Sequence, residues 1–382
     1  MKFIHLSDLH IGKKVNGFSM IDDQKDILFK KILPIIDEEK PDCIMIAGDV
    51  YDKSIPPSEA VGLFDDFIVK LAERNLQVFI ISGNHDSPER LAFGNRLIDK
   101  SGIHISPVYK KKISPFAIKD EFGVVNIYML PFIKPVNVRI AFEKDENISY
   151  TEAVGMAVKE MGADTANRNI LIAHQFVTGA ERSDSEDISV GGTDNVDSSV
   201  FADFEYVALG HLHRPQNVGT NRIRYSGTPL KYSFSEENDK KSVTVVEIRE
   251  KGNISVKEIP LVPLHDMVTL KGTFAELTAK SFYENTSYQE DYTRIILTDE
   301  NEIENAMNRL REIYKNIMKF GYDNTRTRYQ SRIEELSRSD VEEKSPLELF
   351  AQLYENQNGM SMTDEQTQFM QKLIEEIWGE NL

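Results

Sequence analysis

Cysteine, tryptophan and positive charge are all scarce in this sequence. Cys43 is the single cysteine in 382 residues, so no intrachain disulfide is available. It sits inside an apolar run, and a reducing compartment, the cytoplasm, is expected. No apolar stretch approaches the ~20 residues that a membrane-spanning helix needs. Met1-Lys2-Phe3-Ile4 reads as the start of a strand rather than a signal peptide. Lys and Arg number 45 against 62 Asp and Glu, a formal charge of −17. That deficit excludes a surface that attracts nucleic acid everywhere, but it leaves room for a local positive site. Residues 341–382 hold nine acids and two bases, so −7 of the charge lies in the tail. The 40% apolar and 28% charged content is that of a soluble globular protein, and the length calls for two or three domains.

What the sequence does have is a series of apolar strands that each end in chemistry. Lys2-Phe3-Ile4-His5-Leu6-Ser7 runs into Asp8-Leu9-His10, and Cys43-Ile44-Met45-Ile46-Ala47 into Gly48-Asp49-Val50-Tyr51-Asp52. Gln77–Ile81 ends in Gly83-Asn84-His85-Asp86, Asn169–Ala173 in His174, and Tyr206–Leu209 in Gly210-His211-Leu212-His213. Helical spacing separates the first three: Ile27, Leu28, Ile32, Ile35 and Ile36 before the second strand, with Pro34 a candidate kink, and Leu63, Phe64, Phe67, Ile68 and Leu71 before the third. Alternating strands and helices imply parallel pairing, and sites form at the carboxyl ends of such strands.

The residue types at those ends suit a metal. Asp8 and His10, two apart, fall on one side of an extended segment, as do His211 and His213. An amide oxygen from Asn84 completes the shell of a hard cation without adding charge, which frees the neighbouring His85 for proton chemistry. Gly83 lets the chain turn sharply beside the site. The donors are imidazole, carboxylate and amide with no thiolate, a set that suits manganese or iron better than structural zinc and leaves catalytic zinc or a mixed pair open. Five of the eight histidines stand in these motifs. His5 reads as a core residue, and His104 and His265 receive no role. Asp86 reads as a loop-fixing residue.

Taken in order, Asp8-Leu9-His10, Gly48-Asp49, Gly83-Asn84-His85-Asp86, His174 and Gly210-His211-Leu212-His213 resemble the calcineurin-like metallophosphoesterase superfamily. Ser183-Asp184-Ser185-Glu186, Val190-Gly191-Gly192 and Arg224–Phe234 carry a narrower resemblance to the SbcD family of bacterial DNA-repair nucleases. The resemblance implies an α/β fold: a β-sandwich flanked by helices, a small α+β capping domain and a C-terminal helical hairpin. It implies that Asp8, His10, Asp49 and His213 hold one divalent ion, and that Asp49, Asn84, His174 and His211 hold a second, with Asp49 bridging and manganese as the working ion. His85 is left to protonate or stabilise the leaving sugar oxygen, and Asp52 to orient His85. Two divalent ions against the two carboxylates of Asp8 and Asp49 leave the site positive, which reconciles phosphate binding with an acidic chain.

Past the site motifs, Lys241–Ile248 and Asn253–Ile259 alternate as closing strands. The expected domains are 1–262, the metallophosphoesterase domain, 263–340, a cap that helps position DNA, and 341–382, the tail. Within the cap, strands at Met267–Leu270 and Tyr292–Leu297 and a helix from about Ile303 to Met318 are expected. Arg311, Lys315, Lys319, Arg326, Arg328 and Arg332 read either as a phosphate-tracking stripe or as a solvated helix face. Ser345-Pro346-Leu347-Glu348 is a capping box that opens the first tail helix. The second carries Phe369, Met370, Leu373, Ile374, Ile377 and Trp378. In the resembled family such a hairpin, here 345–379, docks on the coiled coil of the SbcC ATPase. Leu63, Phe64 and Phe67, with Leu91, Phe93 and Leu97, read either as ordinary packing on the sheet or as surplus apolar area, and the resemblance implies a homodimer there. The function expected is a manganese-dependent DNA exonuclease and endonuclease. The rivals are a phosphatase or cyclic-nucleotide phosphodiesterase on the same metals, and a non-catalytic adaptor of the ATPase.

Overall fold

Continuous apolar runs form buried strands only where both faces are covered, and that condition sets the architecture here. The computed structural model describes residues 1–184, 186, 194–328, 345–358 and 360–378. They divide into two compact units. The first comprises Met1–Glu146, Tyr150–Asp187 and Asn195–Asp266, and the second is formed chiefly by the chain from Met267 onward.

The first unit is a sandwich of two six-stranded sheets. In one sheet Lys2–Leu6, Cys43–Ala47, Gln77–Ile81 and Ile103–Ile105 are parallel neighbours. Ser242–Ile248 and Ile254–Pro260 complete it antiparallel beside Lys2–Leu6. In the other, Gly123–Leu130, Arg168–His174, Tyr206–Gly210 and Thr220–Tyr225 run parallel, with antiparallel edges Phe116–Asp120 and Gln216–Val218. The core between them packs Phe3, Met45 and Phe79 of the first sheet with Ile127, Ile172 and Tyr206 of the second. Ile4, Ile44, Ile46 and Ile80 point the other way by alternation and are equally buried. The parallel strands of both sheets deliver their carboxyl ends to one rim. There His174, at the end of its strand, donates from Nδ1 to the carbonyl of Ala47 at 2.8 Å.

Three sequence expectations meet details that periodicity does not resolve. The helix after the first strand runs as α-helix Ile21–Asp26, π-helix Ile27–Ile32 and α-helix Leu33–Glu39. Pro34 lacks an N–H, and the widened turn directly precedes it, with the Leu33 amide bonded back to Leu28. His5 is a core residue, with Nε2 donating to the Leu209 carbonyl and Nδ1 meeting the Tyr206 hydroxyl, each at 3.1 Å. His104 stacks on Phe79 and bonds Gln77 and Asp99, and His265 bonds Asp23.

In the second unit the expected helix from Ile303 to Met318 is replaced by a short helix, Ala306–Arg311, and a strand, Asn316–Tyr322. That strand extends the parallel sheet Met267–Gly272, Tyr292–Leu297. Leu310, Tyr314 and Ile317 fit a helical stripe, but β-branched and aromatic residues from Ile317 to Tyr322 also fit a strand, and a free edge of the sheet decides between them. Within the basic stretch, Lys315 pairs with Glu290, Arg326 with Glu302 and Arg328 with Asp323, which favours the solvated-face reading. Arg332 lies outside the described residues, as do Ser185, Val190–Gly192 and the expected boundary at 340.

The tail forms helices Pro346–Asn358 and Asp364–Trp378. Ser345 and Glu348 make the reciprocal capping bonds at 2.7 and 3.3 Å. The side chains of Ile377 and Trp378 lie outside the described residues. No helix of the described residues is long and apolar enough to cross a membrane.

Candidate metal centre

The loops at the rim hold their side chains by bending the backbone into the left-handed region. Asp8, His10 and Asp49 have φ of 51°, 45° and 48°, uncommon for non-glycine residues and concentrated in proteins at functional sites. Two loops are zipped together by main-chain bonds, Asp8 to Gly48 at 3.0 Å and His10 to Asp49 at 2.9 Å. Two glycines are dictated by space. A Cβ at Gly83 would stand 2.1 Å from Asp49 Oδ1, and one at Gly210 1.9 Å from the Ala47 carbonyl oxygen. Asp86 fixes the third loop, since its carboxylate accepts the amides of Gly83, Val50 and Tyr51 at 2.9, 3.1 and 2.9 Å.

The result is a nest of donors around Asp49. Its Oδ2 lies 3.3 Å from His174 Nε2, 3.7 Å from His10 Nε2 and 3.9 Å from His85 Nε2. His174 Nε2 is 2.9 Å and His211 Nδ1 3.1 Å from Asn84 Oδ1. His10 and His213 meet Nε2 to Nε2 at 3.0 Å, and Asp8, His10 and His213 bring one donor atom each within 4.8 Å of one another. Asp8, Asp49 and His174 form a second such group. Asp8, His10, Asp49, Asn84, His174, His211 and His213 thus converge on one place. His85 differs from the other site imidazoles, with 19% of its side chain exposed where those of His10 and His174 are fully buried.

The expected link between Asp52 and His85 takes another form. His85 Nδ1 hydrogen-bonds the main-chain carbonyl of Asp52 at 3.0 Å. The Asp52 carboxylate instead accepts from Lys13 Nζ at 2.8 Å and stands 3.9 Å from His10 Nδ1. That carboxylate still brings an oxygen within 4.8 Å of ring nitrogens of His85 and His10, so Asp52 faces His85 with both its carbonyl and its acid.

Burial sets the charge states. Burial, with the nearby charge of Asp49, pushes Asp8 up to about 6. Burial also opposes ionisation of Asp49, yet the adjacent His174 overcomes it and holds that carboxyl well below the usual range. His174 is raised in turn, the pull of Asp49 outweighing desolvation. Desolvation lowers His10 strongly and takes His211 down to about 3, with His174 adding to the latter. At neutral pH, His10 and His211 are therefore uncharged and keep a lone pair.

Divalent cations fit these residues. Asp8 Oδ2 and His10 Nδ1 are buried and make no hydrogen bond, an arrangement that costs ~1–3 kcal/mol per group. The Nε2 atoms of His10 and His213 also crowd to 3.0 Å beside the carboxylates of Asp8 and Asp49. Cations relieve both penalties.

Two sets of neighbours received no site role in the sequence reading. Arg182 lays its guanidinium over the Phe176 ring at 3.6 Å from the centroid, and that ring in turn faces His211. Glu186, Glu236 and Lys241 surround His213. Glu186 stood inside the Ser183–Glu186 block and the others only near motifs; the contacts on His213 close loops of more than 20 residues, whereas Arg182 reaches Phe176 across only six.

Comparison with known proteins is consistent with this geometry. The profile described as calcineurin-like phosphoesterase matches residues 1–215, and one described as type 5 capsule protein repressor C-terminal domain matches residues 263–358. A protein of Staphylococcus epidermidis, named as the D subunit of nuclease SbcCD, is 34% identical over 324 residues, covering 83% of this chain and 84% of that one. A protein of the same name from Staphylococcus saprophyticus is 34% identical over 322 residues, with the same coverage of both chains.

Replacing Asp86 with Ala removes the acceptor of three main-chain amides. A loss of roughly 1–3 kcal/mol is expected, together with faster hydrogen exchange at Val50, Tyr51 and Gly83. Unchanged exchange at all three would show that the loop does not depend on Asp86.

Proposed function

The chain belongs to the calcineurin-like phosphoesterases and, within them, to the SbcD family of SbcCD nucleases; on that premise we propose that this metal-dependent nuclease hydrolyses DNA phosphodiesters at a two-manganese site beside an SbcC-like ATPase. The observation that carries the reading is the convergence of seven nitrogen and oxygen ligands, Asp49 at their centre, with a more open imidazole at their edge. Asp8, His10, Asp49 and His213 hold one ion, and Asp49, Asn84, His174 and His211 the other. The all-nitrogen-and-oxygen donor set supports manganese. When bound, the ions supply Lewis-acid charge to the phosphate and lower the pKa of water.

The protein's own residues do the rest. His174 is fixed by Ala47, so that Nε2 faces the site. His85 is held at both ends, its amide on Asp49 Oδ1 at 2.9 Å and its Nδ1 on the Asp52 carbonyl. That leaves Nε2 placed to give a proton to the leaving sugar oxygen. Asp52 acts through its carbonyl, and its carboxylate anchors Lys13. Arg182 brings a fixed cation to the site's edge, where a phosphate needs one.

Partner contacts follow from exposed apolar groups. Phe350, Leu353 and Phe369 are exposed on the tail helices, which supports docking of 345–379 on the ATPase coiled coil. A homodimer is supported by only two of the six residues expected. Leu63, Phe64, Phe67 and Leu91 are buried in their own domain, whereas Phe93 is 88% and Leu97 79% exposed. Both belong to the segment that borders a groove of about 570 Å³ lined by Val61, Phe64, Ile68 and Phe93. A second copy covers this patch. The single cysteine, buried and reduced, accords with the cytoplasm.

Three outcomes are expected. Asp49→Ala loses both ions in metal analysis, and two ions still bound at full occupancy would refute the shared ligand. His85→Ala keeps both ions but cleaves linear DNA roughly 10²–10⁴-fold more slowly, and loss of an ion would make His85 a ligand. Phe93→Glu with Leu97→Glu converts a dimer to a monomer in light scattering at micromolar concentration. A wild-type monomer under those conditions would remove the dimer.

A further inference from the structure

One site histidine is gripped by charges that the reaction does not use. The His213 amide donates to Glu186 Oε1 at 2.6 Å. Its carbonyl accepts from Lys241 Nζ at 2.9 Å and from the Thr228 amide at 3.1 Å. Its ring is turned so that Nε2 meets His10 inside the site and Nδ1 looks outward, 3.7 Å from Glu236 Oε1. The other oxygen of Glu236 takes Lys241 Nζ at 2.5 Å. Glu236 and Lys241 are both buried.

A buried ion pair is weak as a source of stability, because desolvation of two charges offsets their attraction, and an apolar pair of similar volume often does as well. Its presence behind a site residue therefore calls for a reason beyond folding. Two other site histidines back onto neutral groups, His174 onto the Ala47 carbonyl and His85 onto the Asp52 carbonyl, while His10 Nδ1 stands 3.9 Å from an Asp52 carboxylate that Lys13 also holds. A carboxylate behind an imidazole does more. It fixes the proton on the outer nitrogen, leaves the inner lone pair free and makes that nitrogen a stronger donor.

We infer that Glu236 is a positioning residue for His213, holding the proton on Nδ1 and aiming the Nε2 lone pair at the Asp8–His10 group, while Lys241 fixes the carboxylate in place. The short helical turn Phe234–Glu236, capped by Ser233, delivers Glu236. Lys241 ties that turn to the His213 carbonyl across 28 residues. The effect is local to one ion, since His174, His211 and Asn84 are bonded to one another and not to this pair. The inference rests on the two-ion reading above.

The test uses the full chain, freed of metal and titrated with Mn²⁺ by calorimetry. Glu236→Gln keeps the shape but removes the charge, and it leaves Lys241 buried without its carboxylate. The double variant Glu236→Gln, Lys241→Met removes both charges and guards against a folding defect. Each folded variant is expected to bind one ion as the wild type does and the other ~10–100-fold more weakly. The weakened ion should be the one that His10→Ala also loses. Nitrogen-15 NMR of the metal-free protein adds a readout that packing alone does not move. His213 is expected as the Nδ1–H tautomer in the wild type and as a mixture or the Nε2–H form in the double variant. Both affinities within threefold of wild type, or an unaltered tautomer, would overturn the inference. A wild type that binds fewer than two ions would overturn the two-ion reading instead, and the NMR result would still decide the role of Glu236.

Discussion

Everything at the rim of the sandwich depends on keeping one carboxylate charged where water does not reach. Asp49 is buried, and burial alone would neutralise it. What prevents this is above all His174, which the end of a strand in the other sheet brings to within 3.3 Å. The backbone accepts the left-handed conformation at Asp49 itself, and Gly83 surrenders its side chain to let the carboxylate in. A loop that obeyed ordinary backbone preference would withdraw the oxygen on which both donor groups converge.

The same arrangement explains how a chain with a formal charge of −17 serves a polyanionic substrate. Bulk charge acts over distances that salt screens within ~8–10 Å. The charge inside a buried site is set by its nearest neighbours. Asp8 and Asp49 are the carboxylates at the centre, and His10 and His211 are kept neutral by desolvation. Two divalent ions held there would leave a positive centre, and Arg182 on Phe176 would extend that sign to the edge.

Much of this was legible in the sequence, for a physical reason. Parallel strands buried on both faces must be continuous apolar runs, and their carboxyl ends must share a rim, so Asp8, Asp49, Asn84, His174 and His211 announce themselves by position. Asp86 was legible as a loop anchor because an Asp after Gly-Asn-His suits a turn. What stayed hidden depended on main-chain atoms or on long-range contacts. The bond to His85 comes from the carbonyl of Asp52, and no side-chain pattern encodes that. Asn316–Tyr322 reads equally as helix or strand until a sheet edge is offered. Leu63, Phe64 and Phe67 read as surplus apolar area because the depth of the surrounding fold is invisible in one helix. Glu236 and Lys241 lie in a stretch of ordinary surface composition, and only the fold turns them inward.

The central claim is that two ions share the Asp49 carboxylate. Electron paramagnetic resonance of the metal-free protein reloaded with two equivalents of Mn²⁺ tests it most directly, because spins joined through a common bridging ligand couple. The account predicts an exchange-coupled pair signal that grows in as the second equivalent is added. Two independent six-line signals at full loading would contradict it, since ions that do not sense each other do not share Asp49.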